Sequence, residues 1–396
     1  MRYFFVLGNH PALSVAEIQA LFPDAKCWLA SPEVLLMEAV DLPVENLIKR
    51  LGGTIKVGVI EEEVVGGQNQ IIDKLKGLFN ILCSKPSLPA GKFNFGFSFY
   101  GQKPVNLKII GLELKNFLRE KKINSRLVVS REANLSSVII AQNKLLTRGA
   151  EIVLIRQEKN ILIGRTLAVQ DFKGLSKRDY GRPGRDDKSG MLPPKLAQMM
   201  INLATGPHVS PATNLFDPFC GSGTILTEAL LIGFQQVIGS DISKTALDDS
   251  RANLKWLISN FSISDGHYQL FKKSVLDLER FIKKESIDYI VTEPYLGPQR
   301  GFFQPAAVAR ELNDLYSKAL LEFSKVLKSS GRVVMVWPVF LNKHFLSPDL
   351  GSFKIVPPFS QALLSSKDLK ITERQTIVYG RPGQRVFREI LILEKK

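Results

Sequence analysis

The most restrictive feature of the sequence is a glycine-rich turn between an apolar strand and an apolar helix. Residues 214–216 read as a strand, residues 217–224 read DPFCGSGT, and residues 225–231 read as a helix. In doubly wound α/β sheets such a turn lies at the carboxyl edge of the strands, where ligands bind. Its glycines let the backbone approach a ligand because no side chain intervenes. The turn therefore predicts a cofactor site in a parallel α/β sheet.

The aspartate that begins this turn narrows the choice of cofactor. A dinucleotide would place its pyrophosphate on the helix N-terminus, where the carboxylate of Asp217 would repel it. The third glycine of the dinucleotide pattern is also replaced, by Leu226. A carboxylate suits instead the ammonium of a methionine moiety. The turn thus favours S-adenosyl-L-methionine, and the residues predicted to bind it are Asp217, Pro218, Cys220, Gly221, Ser222 and Gly223.

The order of elements extends this fold over the C-terminal half. From residue 193 onward strands and helices alternate, which is typical of a parallel sheet with helices on both faces. The chain closes with strands over 375–379 and 386–394, which predict an antiparallel hairpin. The fold class is therefore α/β, with a Rossmann-like sheet. The other predicted strands cover 214–216, 237–238, 267–271, 287–291 and 333–336.

Two further acidic residues follow strands of this predicted sheet. Asp241 lies about twenty residues past Gly221, where an acidic side chain can accept hydrogen bonds from both ribose hydroxyls. Asp277 follows the next strand and could accept a hydrogen bond from the adenine amine. Its alternative interpretation is a helix cap before Leu278. Both residues are predicted cofactor ligands.

The fourth strand ends in a segment that predicts a substrate site. Thr292, Glu293, Pro294 and Tyr295 stand where a substrate would meet the cofactor. Tyr295 offers a flat ring on which a flipped nucleobase could stack. The carbonyl of Pro294 could accept a hydrogen bond from an exocyclic amine, so the segment predicts methylation of a base amine.

Composition supports a nucleic-acid partner. The formal net charge is +15, and such an excess attracts polyanions. The three cysteines and four histidines are scattered, which predicts neither a disulfide framework nor a metal site. Apolar runs are too short for a membrane span, and residues 1–7 read as a strand rather than a signal peptide, so a cytoplasmic location is expected.

Residues 171–190 form a basic segment that reads as a linker or binding loop. The segment is rich in glycine and carries Phe172 and Tyr180 among its cations. Basic side chains beside aromatic ones suit contact with RNA phosphates and bases, although a solvated linker would look the same. The predicted RNA-binding residues are Lys173, Lys177, Arg178, Arg182 and Arg185, with Lys188 close by.

The N-terminal part reads as small α/β units. Ser14 and Glu17 have the spacing of a capping box at a helix start. The alternating phenylalanines of residues 93–99 indicate a half-buried strand. Two strands over 151–156 and 161–168 predict a hairpin.

Several stretches resemble one family, the THUMP-containing guanosine-N2 tRNA methyltransferases of archaea and eukaryotes. They are RTLAVQDF (165–172), RDYGRP (178–183), MLPPKLAQMMINLA (191–204), DPFCGSGTILTEALL (217–231) and YGRPGQRVFREI (379–390). Residues 1–165 match in order and length rather than in motif. The resemblance implies a ferredoxin-like domain over 1–57, a tRNA-holding THUMP domain over 58–168, a linker over 169–190 and a methyltransferase domain over 191–396.

The same resemblance implies a seven-stranded sheet, with its last strand antiparallel, and S-adenosylmethionine as methyl donor. By position, Asp217, Gly221 and Gly223 would contact the methionine part, Asp241 the ribose and Asp277 the adenine. A small activating protein subunit stays open, because eukaryotic members use one.

One departure concerns the substrate site. The family tetrapeptide is Asp-Pro-Pro-Tyr or Asn-Pro-Pro-Tyr, whereas residues 292–295 read TEPY. A threonine hydroxyl is a weaker acceptor than a carboxylate, so our hypothesis is that Glu293 becomes the acceptor or base, with Thr292 assisting. The predicted function is methylation of the N2 amine of a guanosine in tRNA. The alternatives are another RNA base amine, in ribosomal RNA or a different tRNA nucleoside, adenine in DNA, or a non-catalytic RNA-binding protein whose motif has decayed.

Overall fold

The computed structural model describes residues 1–84, 91–185, 191–263, 266–298, 301 and 303–396. The chain divides into two compact units. The N-terminal unit comprises residues 1–11, 24–50 and 54–172, and the C-terminal unit comprises residues 12–23, 51–53 and 173–396. The first helix, α1 (Pro11–Leu21), therefore belongs almost entirely to the C-terminal unit.

The N-terminal unit is built on one sheet, which has eight strands among the described residues, in the order β2-β3-β1-β4-β8-β7-β5-β6. Its strands are β1 (Arg2–Leu7), β2 (Cys27–Ser31), β3 (Val34–Glu38), β4 (Thr54–Val65), β5 (Phe93–Tyr100), β6 (Ser125–Val128), β7 (Gly149–Gln157) and β8 (Asn160–Val169). Its helices are α2 (Val44–Arg50), α3 (Gln68–Cys83), α4 (Leu107–Glu120) and α5 (Ser137–Gln142). The predicted hairpin is confirmed, since β7 and β8 pair antiparallel.

The predicted domain boundary between residues 57 and 58 lies inside a strand. β4 pairs with β1 through its first half and with β8 along most of its length. One sheet therefore continues through this point, and the residues on either side of it fall in one compact unit. That this unit is a THUMP domain stays a prediction.

The phenylalanine-rich strand β5 is more deeply buried than alternation predicted. Phe95 packs edge-on against Phe79 of α3, with the ring centroids 5.2 Å apart. The opposite face of the strand is covered too, because Ser98 is fully buried and accepts a hydrogen bond from the backbone N–H of Leu135 at 2.9 Å. The half-buried prediction was wrong, since both faces of β5 are covered.

A buried ion pair crosses the same sheet. Lys56 Nζ lies 2.5 Å from Glu151 Oε1, and both side chains are almost fully buried. The hydroxyls of Ser98 and Thr166 donate to the same carboxylate, at 2.6 and 2.5 Å. Burial lowers the pKa of Lys56, while Glu151 raises it. Four neighbouring strands, β4, β5, β7 and β8, thus share one charged hydrogen-bond network.

We expect Glu151→Ala to destabilise the protein by about 3–5 kcal/mol, because it leaves the ammonium of Lys56 buried without its counter-ion. Urea unfolding followed by circular dichroism measures this change. The matched control is Glu63→Ala, which removes an exposed pair with Arg2 and should change stability by less than about 1 kcal/mol. Equal effects of the two substitutions would contradict the stabilising role given to the buried pair of Lys56 and Glu151.

The C-terminal unit carries the predicted Rossmann-like sheet. Seven of its strands follow the order β11-β10-β9-β12-β13-β17-β15, and two short strands, β14 and β16, join at β13 and β17. The pairs β11–β10, β10–β9, β9–β12 and β12–β13 are parallel, whereas β17 runs antiparallel to both β13 and β15. The described strands are β9 (Asn214–Asp217), β10 (Gln236–Asp241), β11 (His267–Lys272), β12 (Ile287–Thr292), β13 (Leu327–Phe340), β14 (His344–Phe345), β15 (Phe353–Ile355), β16 (Ile377–Tyr379) and β17 (Val386–Lys395).

Besides α1, the described helices of this unit include one in a segment that the sequence predicted as a linker or loop. They are α6 (Phe172–Tyr180), α7 (Pro194–Thr205), α8 (Thr224–Ile232), α9 (Lys244–Asn260), α10 (Pro305–Val326) and α11 (Gln361–Leu364), with a 3₁₀-helix at Val275–Arg280. Helix α6 lies in the segment predicted as a linker or loop, so that prediction was wrong for residues 172–180. No described helix has the length and apolar composition needed to cross a membrane.

The predicted capping box of α1 was also wrong. The helix begins at Pro11, so Ser14 and Glu17 lie inside it. The Ser14 hydroxyl donates to the carbonyl of Gly53 at 2.7 Å, and the Glu17 carboxylate accepts the backbone N–H groups of Gly52 and Gly53 at 2.8 Å each. The side-chain amide of Asn202 also donates to Glu17, at 2.7 Å. These polar groups join α1 to α7 and to residues 51–53 rather than to its own first turn.

Candidate active site

The glycine-rich turn joins β9 to α8 with two glycines in the left-handed region. Gly221 has φ 50° and Gly223 has φ 82°. A Cβ atom on Gly223 would lie 2.4 Å from Ser250 Oγ of α9, whereas a Cβ atom on Gly221 would have no neighbour within 4 Å. Gly223 is therefore required by close packing, and Gly221 borders open space that a ligand could enter.

We expect Gly223→Ala to destabilise the turn more than Gly221→Ala does, because both strain the backbone but only the first meets Ser250. Backbone strain alone is worth about 1–2 kcal/mol. Gly221→Ala should lower the melting temperature by this strain alone, and it should also weaken binding of S-adenosylmethionine. Differential scanning calorimetry and isothermal titration calorimetry separate the two effects. Similar melting temperatures for both variants would contradict this reading of the turn.

Asp217, at the end of β9, is a buried carboxylate with an unusual pKa. Its Oδ1 accepts the backbone N–H of Phe219 at 3.1 Å and the hydroxyl of Thr292 at 2.7 Å. Among the described residues, no group donates to Oδ2. Burial raises the pKa of this carboxyl to about 7, and the nearby charges of Asp241 and Glu293 add to that effect, while the two hydrogen bonds oppose it. A cation placed here would be bound strongly, because it would compensate a desolvated negative charge.

Asp241, at the end of β10, holds the turn from the other side. Its Oδ2 accepts the N–H of Gly221 at 3.0 Å, and its Oδ1 accepts the N–H of Ser243 at 2.8 Å, at the start of α9. The side chain is half-buried. Carboxylate oxygens have more than one acceptor direction, so ribose hydroxyls could bind while these bonds persist.

The remaining turn residues contribute mainly backbone. The carbonyl of Pro218 accepts the hydroxyl of Ser240 at 3.3 Å. The carbonyl of Ser222 accepts the side-chain amide of Asn253 at 2.8 Å. Cys220 is buried, and burial raises the pKa of its thiol well above the usual value, so it is not a reactive thiolate. Asn253, which sequence reasoning missed, also bonds both backbone groups of Gly184.

The predicted adenine ligand, Asp277, lies in the 3₁₀-helix after β11. Its carboxylate is 3.2 Å from Arg280 and is partly exposed. The alternative interpretation as a helix cap was wrong, because Ser274 caps this helix by accepting the N–H of Leu276. A role of Asp277 toward the adenine amine stays a prediction.

Two apolar side chains beside these acids were missed from the sequence. Ile242 directly follows Asp241 and is 74% exposed, and Leu276 directly precedes Asp277 and is 43% exposed. Large aliphatic side chains left in solvent at a sheet edge suit the faces of an adenine ring. The site therefore fits S-adenosylmethionine, with a buried carboxylate for the ammonium, a second carboxylate for the ribose and aliphatic side chains for the base.

The TEPY segment brings a further acidic group, Glu293, to the same edge. Thr292 is fully buried and its hydroxyl donates to Asp217, so it orients the carboxylate that is predicted to bind the cofactor. Its predicted assistance to Glu293 at the substrate stays a prediction. Glu293 Oε1 accepts a hydrogen bond from Arg388 Nε of β17 at 2.5 Å, with 12% and 14% of the two side chains exposed. Among the described residues, no group donates to Glu293 Oε2 or to the carbonyl of Pro294.

Tyr295 carries the exposed ring of this segment. The residue is 61% exposed, and its carbonyl accepts the hydroxyl of Tyr316 at 2.7 Å. Tyr316 is completely buried in α10, where its ring packs near Trp337 of β13, with ring centroids 6.4 Å apart. The buried Tyr316 thus fixes the backbone of Tyr295, while the ring of Tyr295 stays available to a ligand.

The basic segment divides into buried and exposed cations. Arg178 Nε lies 2.8 Å from Glu228 of α8, and Arg182 Nη1 donates to Thr224 Oγ1 at 2.6 Å. Both arginines are more than nine-tenths buried, so their predicted contact with RNA was wrong. Burial lowers the pKa of Arg182 and raises that of Glu228.

The exposed cations of the segment are Lys173, Lys177 and Arg185. Their contact with RNA stays a prediction. Lys177 donates to Asn260 at 2.8 Å and lies over the ring of Phe261, and the Arg185 guanidinium stacks on Tyr180. Lys188 lies outside the described residues. Among the described residues, no three His, Cys, Asp or Glu side chains form a group that could hold a metal ion.

Comparisons with known proteins agree with this geometry. Residues 182–342 match the family described as RMKL-like, methyltransferase domain. TrmN from Thermus thermophilus superposes over the full length of both chains with a TM-score of 0.56 at 18% identity, which shows the fold. Residues 182–342 therefore belong to a methyltransferase domain with a Rossmann-like fold, and S-adenosylmethionine is its methyl donor.

Three similar proteins carry the same enzyme name. The chain is similar to the tRNA (guanine(10)-N2)-dimethyltransferase of Pyrococcus abyssi, 24% identical over 92% of this chain and 97% of the relative. It is similar to the enzyme of that name from Methanocaldococcus jannaschii, 26% identical over 84% and 89%. With the Methanothermobacter thermautotrophicus enzyme it shares 31% identity over 42% of this chain and 44% of the relative. The resemblance found in the motifs is confirmed.

Proposed function

We propose that this protein transfers a methyl group from S-adenosylmethionine to the exocyclic N2 amine of a guanosine in tRNA. The observation that carries the proposal is the position of Glu293 and Pro294 at the end of β12, next to the buried Asp217. Two acceptors there, Glu293 Oε2 and the Pro294 carbonyl, match the two hydrogens of an amine. The guanosine and the tRNA come from the similarity to three archaeal enzymes.

For this reaction the protein must orient the substrate amine and accept hydrogen bonds from it. The lone pair of a guanine N2 amine is delocalised into the ring, so the amine is a poor nucleophile. Acceptors that hold its hydrogens favour the tetrahedral nitrogen of the transition state, and preorganised acceptors contribute most in a water-poor site. The bound sulfonium supplies an activated methyl group. Glu293 can take the proton that the nitrogen loses when its bond to carbon forms.

Tyr295 provides the surface for the base. A nucleobase must leave its stack to reach an enzyme site, and an aromatic ring replaces part of the lost stacking. The ring of Tyr295 is exposed, and the bond from Tyr316 to its carbonyl holds its backbone. Stacking on this fixed ring would orient the base toward Glu293 and Pro294.

The N-terminal unit and the cations Lys173, Lys177 and Arg185 complete the proposal. A THUMP domain in the N-terminal unit would hold the acceptor end of tRNA, and the three cations would contact its phosphates. A cytoplasmic location would bring the enzyme to its substrate. The assay described next also shows whether one or two methyl groups are added and whether a small subunit activates the enzyme.

The test is transfer of labelled methyl groups to purified tRNA, ribosomal RNA and DNA, followed by mass spectrometry of the nucleosides. We expect N2-methylated guanosine in tRNA alone. The control is a transcript with inosine at the modified position, which lacks the N2 amine and should accept nothing. Methyl transfer to ribosomal RNA, to DNA or to another nucleoside would contradict the proposed substrate. Binding of RNA without any transfer would favour a non-catalytic protein.

A further inference from the structure

The strand β13 continues past the end of its neighbour β12. Thr292, the last residue of β12, pairs with Met335, but β13 runs on to Phe340. Along this extension β13 pairs with β17, up to the pair Phe340–Val386. The short strand β14 also pairs with its end. The carboxyl edge of the sheet therefore has a raised antiparallel rim on the side of the substrate segment.

Two turns form the top of this rim, and the first of them runs into the strand β14. They cover residues 341–345 and 381–385, and we call them together the β13–β17 lip. The backbone N–H of Leu341 donates to the carbonyl of Arg385 at 2.8 Å, so the two turns lie side by side. Their sequences are LNKHF and RPGQR, which hold Lys343, Arg381 and Arg385 and no acidic residue. All three cations are exposed.

Aromatic rings connect the lip with the substrate segment. The guanidinium of Arg385 lies 5.7 Å from the centre of the Phe303 ring and donates to the carbonyl of Gly301 at 2.7 Å. Phe303 packs edge-on against Phe340, with centroids 5.5 Å apart. A Cβ atom on Gly297 would lie 3.3 Å from the Phe340 ring, so the chain just after Tyr295 touches the base of the lip.

A further ring lies on the lip itself. Phe345 is 41% exposed, and the guanidinium of Arg374 lies 5.6 Å from its centre. Exposed rings among cations are the pattern by which proteins hold single-stranded nucleic acid, because phosphates bind the cations and bases stack on the rings. A flipped base on Tyr295 would also leave its neighbouring nucleotides unstacked and close to this surface.

We propose that the β13–β17 lip binds the RNA strand next to the target nucleotide, with Lys343, Arg381 and Arg385 on its phosphates. This inference rests on the proposed function, because it takes RNA as the substrate. It adds a contact surface in the C-terminal unit to the N-terminal surfaces that the family resemblance implies. Charge complementarity identifies the partner, since the lip carries three cations without a neighbouring carboxylate in its two turns.

The test compares the salt dependence of tRNA binding between variants. In the triple variant Lys343→Gln, Arg381→Gln, Arg385→Gln, we expect the slope of log affinity against log salt to become less steep by about two units, with affinity about 100-fold lower near 0.1 M salt. The double variant Lys343→Gln, Arg381→Gln keeps the Arg385–Gly301 contact and should lose about 20-fold. Binding of S-adenosylmethionine should be unchanged in both.

The matched control is Lys283→Gln, Lys284→Gln, which removes two exposed charges just before β12, at the opposite edge of the sheet. The control should keep the wild-type slope. The proposal is overturned if wild-type protein methylates tRNA while the lip variants bind it with the affinity and slope of the control. If wild-type protein neither binds nor methylates tRNA, the proposed function falls as well, which distinguishes the two failures.

Discussion

Asp217→Asn is expected to abolish binding of S-adenosylmethionine and, at neutral pH, to make the ligand-free protein more stable. Asparagine keeps the shape of the side chain, and its oxygen can still accept the bonds from Phe219 and Thr292. It removes the charge that would bind an ammonium. It also removes a carboxylate that burial disfavours, which is the cause of the raised pKa of about 7. Loss of function and gain of stability should therefore occur together.

The stability gain has a defined pH window. In the unfolded chain the carboxyl loses its proton near its ordinary pKa of 3.8, whereas the folded protein keeps it to about 7. Between these values the folded state binds more protons, so wild-type stability falls as pH rises, by about 1.4 kcal/mol per pH unit. The advantage of Asp217→Asn should grow from about pH 4 to about pH 7 and then level off. Melting temperatures between pH 4.5 and 8.5 measure it.

The control for this prediction is Asp241→Asn. It removes the same charge from a half-buried carboxylate whose two oxygens accept backbone N–H groups of Gly221 and Ser243. An amide cannot accept both bonds, so this variant should lose stability. Calorimetric titration reports cofactor binding for both variants. Wild-type affinity in Asp217→Asn, or a stability difference that does not depend on pH, would remove Asp217 from the proposed role.

Glu293→Gln is expected to lower kcat by about 100-fold or more while leaving the binding of cofactor and RNA nearly unchanged. The substitution keeps size and shape but replaces one carboxylate oxygen by a donor, which cannot accept an amine hydrogen. Loss of one preorganised partner in a transition state has an effect of about this size. Single-turnover methyl transfer with saturating tRNA gives the rate without a contribution from product release.

Arg388 supplies the matched comparison for Glu293. Arg388→Met removes the hydrogen bond that holds Glu293 Oε1, so kcat should fall while the KM for tRNA changes little. Arg388→Lys should restore part of the rate. Combined with Glu293→Gln, the Arg388→Met effect should largely disappear, because the two residues act as a unit. Arg332→Met breaks a pair with Glu394 that also involves β17 but joins it to β13, and this variant should keep full activity. Normal turnover in Glu293→Gln would mean that the amine is held by other groups.

The sequence predicted the parts of the site that local chain geometry determines. The turn DPFCGSGT, the acids after the next two strands and the segment after β12 all lie where a strand ends, and parallel strands bring their carboxyl ends to one edge. Asp217, Asp241 and Glu293 are accordingly close enough for the charges of the other two to raise the pKa of Asp217. The role of Thr292 was not predictable, because its bond to Asp217 joins residues 75 positions apart.

Buried charges account for the other failures. Arg178 and Arg182 were read as surface cations, since a glycine-rich stretch with few apolar residues is usually exposed. Their partners, Glu228 and Thr224, lie 50 and 42 positions further on. Their spacing of four would place them on one side of a helix, which was the available signal in the sequence. Arg388 gave a similar signal, as a cation within the apolar strand β17.

The position of residues 57 and 58 inside a strand was not predictable for a related reason. The sequence of a strand such as β4 does not show whether the strand pairs with neighbours on both edges or on one. Its length of 12 residues lets it pair with β1 and β8, and it thereby joins regions that the motif order had separated. The helix α1 shows the converse case, since it follows β1 directly yet clusters with residues far along the chain.

With the methyl donor beside Asp217, as proposed, the Thr292–Asp217 hydrogen bond would link the donor to the strand that leads to Glu293. An ammonium that binds beside Asp217 lowers its pKa and fixes it as an anion. Hydrogen bonds to a charged acceptor are shorter and stronger than those to a neutral one. The end of β12, and with it Glu293, is then held more firmly after the donor has bound. It follows that a loaded enzyme meets its RNA with a more rigid acceptor edge than an empty one, which favours an order of events in which the donor arrives first.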